Sequence, residues 1–245
     1  MRYLILSDIH ANLDALEAVL HDAGDAWDRP LVLGDLAGYG ADPNGVIDRV
    51  RALDPLAIIR GNHDKAACGL DDRSQFNQVA RTAAEWTAGQ LTPANCDYLR
   101  ALPAGPIVVD ETVEICHGAP FDEDHYIFDG LDAQRAIEML TRPVGLFGHT
   151  HLPVVFTLAK RELAATIPED GREPIALAGG VTYLVNPGSV GQPRDGDPRA
   201  AYGVLDTGAR VLELRRVAYP IEQAQRKIQA AGLPPVLANR LALGR

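Results

Sequence analysis

The chain has 245 residues, 47% of them hydrophobic, enough for a sizeable core and too many for a disordered chain. No run approaches the roughly 18 apolar residues of a membrane span, and the opening residues carry one Arg and no cleavage site, so no signal peptide and a cytoplasmic location are expected. A net charge of −10 argues against a nucleic-acid polymer as partner, because affinity for such polymers comes largely from Lys and Arg on phosphates.

Residues 2–7 form a short apolar run that reads as a strand buried on both faces, ending at Asp8. Asn12 is placed to cap a helix whose Leu13, Leu16, Val19 and Leu20 share one face, with Gly24 as its stop. Leu31-Val32-Leu33 is a second strand, ending in Gly34-Asp35. Pro43 fits the first turn of a helix with the apolar stripe Val46, Ile47, Val50 and Leu53. Residues 56–60 are a third strand, ending in Gly61-Asn62-His63-Asp64. Chemistry thus falls at the C-terminal end of each strand, the edge where α/β sheets bind ligands.

Residues 74–101 read as helical, broken at Thr92-Pro93. Residues 107–109 and 112–116 read as a hairpin leading to His117, residues 131–140 as a helix, and residues 144–147 as a strand ending in Gly148-His149-Thr150-His151. Short strands follow at 154–157, 162–166, 175–177, 183–185, 202–206 and 211–216 with no helix between them. They predict a second, largely antiparallel sheet, closed by helices at 220–231 and 236–243. The expectation is one α/β domain over residues 1–245, a two-sheet β-sandwich flanked by helices. Nothing in the sequence signals an oligomeric state. Cys68, Cys96 and Cys116 form no CxxC pair and read as buried, reduced thiols.

Five of the seven histidines lie in the strand-end motifs, beside Asp, Asn or Gly. Any one alone would be an ordinary core or surface histidine. Together they have the side-chain types that hold borderline and hard divalent metals. Their order and content, with the runs Ser7-Asp8-Ile9-His10-Ala11-Asn12, Gly34-Asp35-Leu36-Ala37-Gly38-Tyr39-Gly40 and Asn186-Pro187-Gly188-Ser189-Val190-Gly191-Gln192-Pro193-Arg194, resemble the calcineurin-like metallophosphoesterase superfamily. The likeness is to its small bacterial and archaeal phosphodiesterase branch and extends from Met1 to about Pro198.

The resemblance implies a four-layer α/β/β/α fold and two divalent metal ions. Asp35 would bridge them, with Asp8, His10 and His151 on one ion and Asn62, His117 and His149 on the other. Manganese is the first choice, and the donors also suit Fe, Co, Ni or Zn. Such a pair activates a shared water or hydroxide for attack on phosphorus. His63 is the candidate acid for the leaving oxygen, with Asp64 to orient it. Asn12, Tyr39, His125 and Arg194 are candidate substrate contacts; the bland readings are an N-cap, loop packing, a loop histidine and a solvated arginine.

The implied activity is hydrolysis of a small phosphodiester. Phosphomonoesterase action, on protein or nucleotides, and cleavage of dinucleoside polyphosphates are the alternatives, because the motifs do not separate them. A non-enzymatic scaffold is the remaining reading, set against a complete ligand set. The stretch Ala119-Pro120-Phe121-Asp122-Glu123-Asp124-His125-Tyr126 departs from relatives that carry a basic residue after this His-Gly, and its acids would not attract a polyanion.

Overall fold

The computed structural model describes residues 1–168 and 174–245. Strand β1 (Arg2–Leu6) shows how the layers arise. Its Tyr3 and Ile5 enter one apolar cluster while Leu4 and Leu6 enter another, as the two-residue period of a strand requires. A strand buried on both faces needs a layer on each side.

On one side lie α1 (Leu13–Ala23) and α2 (Pro43–Ala52), whose Leu16, Val19, Val46 and Ile47 pack against Leu4 and Leu6. On the other lies a second sheet, which meets Tyr3 and Ile5 with Val113 and Ile115 of β5 (Val113–Ile115), Leu146 of β6 (Val144–Leu146) and Val185 of β10 (Thr182–Asn186). The outer face of that sheet is covered by α6 (Gly130–Met139), through Ala133, Ala136 and Ile137 against Phe156 and Leu184. The expected four layers are therefore present.

The sheet partners differ from expectation. Among the described residues, each sheet has six strands. The first runs β3 (Ala57–Ile58), β2 (Arg29–Val32), β1, β11 (Ala200–Asp206), β12 (Val211–Val217) and β9 (Ile175–Ala176). The second runs β4 (Ile107–Val108), β5, β6, β10, β7 (Val154–Ala159) and β8 (Glu162–Thr166). The later strands do not form a sheet of their own; they extend both. β1 is parallel to β2 on one side and antiparallel to β11 on the other. Without β11, this apolar strand would be left with an open edge. In the second sheet, β10 is parallel to β6 and antiparallel to β7.

The third strand is shorter than its apolar run, and the motif after it is helical. Asn62–Cys68 forms α3, which ends at Gly69 in the left-handed conformation (φ 80°). The helical stretch that follows divides into α4 (Gln78–Gln90) and α5 (Pro93–Ala101), with the break at Thr92 as expected. Helices α7 (Ile221–Ala230) and α8 (Pro235–Leu241) close the chain against the α1 side of the first sheet. None of the described helices is long and apolar enough to cross a membrane.

Ile5 is fully buried between the sheets. Ile5→Ala is expected to destabilise the protein by about 2–5 kcal/mol, through lost burial and the cavity left behind. Urea unfolding checks this; a change within experimental error would mean that the two sheets do not pack through this residue.

Candidate metal centre

Parallel strands β1, β2 and β3 of one sheet and β5 and β6 of the other bring their C-terminal ends to one edge of the sandwich. There the chain must turn sharply. Asp8, His10, Asp35, His149 and His151 all have left-handed backbones, with φ of 53°, 48°, 53°, 67° and 61°. That conformation costs on the order of 1–3 kcal/mol per residue, and strain of this kind gathers at functional sites. Backbone bonds hold these turns: His10 N–H donates to Asp35 O at 2.9 Å and Ala11 N–H to Leu36 O at 2.8 Å. Glycine is needed at Gly61 and Gly148 for a different reason. A Cβ at Gly61 would collide with Asp35 Oδ1, and one at Gly148 with Ser7 Oγ.

Two groups result that could each hold a metal ion: Asp8, His10, Asp35 and His151, and Asp35, His117 and His149. Asp35 belongs to both. Its Oδ2 lies 3.5 Å from His10 Nε2 and 3.5 Å from His117 Nε2. Its Oδ1 accepts from His63 N–H at 2.9 Å. Asn62, the first residue of α3, places its Oδ1 3.4 Å from His117 Nε2.

The hydrogen bonds around these imidazoles assign their tautomers. A carbonyl oxygen only accepts, so a ring nitrogen bound to one carries the proton. His10 Nδ1 donates to Ala37 O at 3.0 Å, His151 Nδ1 to Gln192 O at 2.6 Å and His117 Nδ1 to Leu33 O at 2.7 Å. Burial holds His10 and His151 well below the usual histidine range, so both are neutral. Their bare Nε2 atoms then face each other at 3.0 Å. Two lone pairs at that distance repel, and a cation seated between them turns the repulsion into coordination. His149 is set the other way: Nε2 donates to Asp124 O at 3.1 Å, leaving Nδ1 for a ligand. The donor set fits a divalent ion in each group.

The charged forms most favoured by their surroundings in the cluster are those of one pair. Burial raises the Asp35 carboxyl, but His117, His63 and His10 outweigh it and hold Asp35 well below the carboxylate range. Burial lowers His117, but Asp35, through its charge and a hydrogen bond, and then Asp8 raise it to about 10. Burial pushes Asp8 up to about 6 and, with the Asp35 charge, Asp64 to about 7. It pulls His63 down to about 4 and His149 well below its usual range.

The other candidate residues are placed unequally. Tyr39 lies against His10 and His63, with ring centroids 4.7 and 4.3 Å away. Arg194 is half-buried over Tyr39, at 5.8 Å from the ring, with its Nε buried and without a hydrogen-bond partner. Asn12 caps α1, accepting from Ala15 N–H at 3.1 Å, and its amide donates to Gly191 O at 2.9 Å, so both ends of the side chain are engaged.

Asp64 does not reach the His63 ring. Its carboxylate accepts from Gly61 N–H and Ala37 N–H, each at 3.0 Å, while His63 Nδ1 is buried without a partner. Adjacent residues on a helix point in different directions, and α3 begins at Asn62. The ring is instead walled by Tyr39, His10 and Phe76, the last two at 4.9 and 4.8 Å.

His125 also turns away, to Asp132 Oδ1 at 3.0 Å in the first turn of α6. Its neighbour Tyr126, which sequence reasoning passed over, stacks on His149 at 3.7 Å. The acids beside it are paired. Glu123 accepts from Arg60 at 2.9 Å and from Lys65 at 3.0 Å, and Asp124 from Lys65 at 2.6 Å.

The family model of the calcineurin-like phosphoesterase superfamily domain matches residues 1–210, and the chain belongs to that superfamily. A protein of Methanocaldococcus jannaschii, itself described as uncharacterized, is 34% identical over 98% of this chain and 97% of its own. The crystal structure of a metallophosphoesterase from Sphaerobacter thermophilus is 41% identical, with a TM-score of 0.89 over 100% of this chain and 99% of that one. A hypothetical protein from Pyrococcus horikoshii shares the fold at 20% identity, with a TM-score of 0.79 over 100% and 98% of the two chains.

A metal bound at His117 would have to displace the proton that the Asp35 charge favours there. Loading the metal-free protein at pH 7.5 is therefore expected to release at least one proton per chain, the one on His117 and any lost by a metal-bound water. Calorimetric titration in buffers of different ionisation enthalpy measures the number. Release of no proton would refute the Asp35–His117 charge assignment.

Proposed function

We propose that this protein is a phosphoesterase that uses two divalent metal ions to hydrolyse a phosphodiester bond in a small substrate. The observation that carries the reading is the sharing of Asp35 by two buried donor groups. Asp8, His10 and His151 would hold one ion with Asp35, and Asn62, His117 and His149 the other. Mn suits the mixed oxygen and nitrogen donors, and Fe, Co, Ni or Zn would also be accepted. When bound, such a pair lowers the pKa of a shared water toward neutrality and offsets charge built up at phosphorus.

His63 is assigned the protonation of the leaving oxygen. Burial leaves its imidazole neutral at pH 7, so the charge of a bound phosphate is what would raise it into the range of a proton donor. Tyr39, His10 and Phe76 orient the ring, and Asp64 acts one step back by fixing the start of α3.

A diester has two arms, and two clefts border this site. One, of about 150 Å³, is lined by Asn62, Phe76, Tyr126 and His149. The other, of about 630 Å³, is lined by Tyr39, Val79, Val236 and Arg240. This supports the diester reading over a monoester. Helix α8, beyond residue 210, contributes to the second cleft, so residues 1–245 are taken to act as one domain.

Metal-stripped protein reloaded with Mn²⁺ is expected to hydrolyse bis-p-nitrophenyl phosphate faster than p-nitrophenyl phosphate. The reverse order would favour a phosphomonoesterase. Turnover of neither, but of a dinucleoside polyphosphate, would favour that class, and turnover of none with metal bound would favour a scaffold. His63→Asn is expected to keep its metal and fold while losing about 10²–10⁴-fold in kcat on a diester with a poor leaving group. Unchanged kcat on that diester would remove the assignment of His63.

A further inference from the structure

The family-matched region ends at residue 210, and α7 and α8 lie beyond it. They nevertheless reach the metal centre. Ala224 and Ile228 of α7 and Leu241 of α8 line a small cavity together with His10 and Tyr39. The segment after α8 is tied to the Arg194 loop, where Gly196 N–H donates to Gly244 O at 2.9 Å. This brings Arg240 of α8 to the ring that Arg194 already faces. Each guanidinium carbon lies 5.8 Å from the Tyr39 centroid.

Two arginines on one tyrosine are unusual in a chain of net charge −10. Most neighbouring cations find acids: Arg60 has Glu123, Lys65 has Glu123 and Asp124, and Lys227 has Asp14 and Asp42. Among the described residues, neither Arg194 nor Arg240 has an ion pair with a side-chain carboxylate. Arg240 Nε donates to Arg245 O, and Arg194 Nη2 makes one long bond of 3.4 Å to Gln192 Oε1. Burial, and then the charge of Arg194, make Arg240 easier to deprotonate. Like charges held together and half-buried destabilise one another unless an anion joins them. Arg240 opens into the cleft of about 630 Å³, whose Val79, Val236 and Leu243 offer apolar surface beside the charge.

We propose that Arg194 and Arg240 form a subsite for a second phosphate group on the substrate, distinct from the phosphate at the metal centre. The substrate class is then a small organic molecule with two phosphates, one of them esterified at the metals and the other held at Tyr39. This rests on the hydrolytic reading for the position of the first phosphate. The C-terminal helices, rather than the metal motifs, set this preference.

Binding of thymidine 3′,5′-bisphosphate and thymidine 5′-monophosphate to the Mn-loaded protein, measured by calorimetry, tests the subsite. The bisphosphate is expected to bind about ten-fold more tightly or better, the scale of a charge-assisted arginine–phosphate contact. Arg240→Gln or Arg194→Gln is expected to erase the difference, so either folded variant decides. Arg226→Gln, on the exposed face of α7, is expected to keep it. Equal affinities in the wild type, or a preference that survives either subsite substitution in a folded variant, would overturn the proposal. Hydrolysis of bis-p-nitrophenyl phosphate, measured alongside, separates the two readings. Lost hydrolysis with the preference intact strikes the activity alone, and intact hydrolysis with equal affinities strikes the second phosphate alone.

Discussion

A carboxylate taken out of water needs compensation nearby, and Asp35 is 1% exposed at the junction of two sheets. One oxygen accepts the His63 N–H, and the other faces His10 and His117. This requirement accounts for much of the local architecture. The strand ends must converge on one point, their backbones must enter left-handed turns to aim the side chains, and Gly61 and Gly148 must leave space. The apolar layers on both sides of β1 supply the stability that tolerates those turns.

Control of the centre extends outward through charge. Arg60 and Lys65 pin Glu123 and Asp124, and the pinned loop presents Asp124 O to His149. That single acceptor selects which nitrogen of His149 is left for a ligand. An acidic loop that reads in isolation as a repellent for anions is therefore largely neutralised, and its structural effect is on an imidazole. Lys65 lies two residues after His63, so α3 contributes both to the centre and to the loop that orients its far side.

The candidate metal ligands and the walls of the neighbouring clefts come from different parts of the chain. Strand-end residues within 1–210, the region that the superfamily model matches, form two groups that could hold metal ions. The wall that a substrate's remaining atoms would meet is built partly from α7 and α8, outside that region. Sites of this kind keep a reaction while the surroundings change its substrate.

The sequence by itself determined the superfamily, the layer types and the identity of most residues at the centre. Those signals are local: an apolar run ending in Asp, Asn or His beside glycine is visible without knowing what the run pairs with. Helix α3 was less legible because seven residues carry a weak period and its opening residues double as site residues. Only the tertiary structure decided the rest. Strand order depends on hydrogen bonds between distant segments, so β11 joining β1 could not be read from spacing. The choice of Tyr126 over His125, the separation of Asp64 from the His63 ring and the meeting of Arg194 with Arg240 depend on side-chain directions set by packing across the chain. Local pattern specifies which groups are offered, and long-range packing specifies which of them meet.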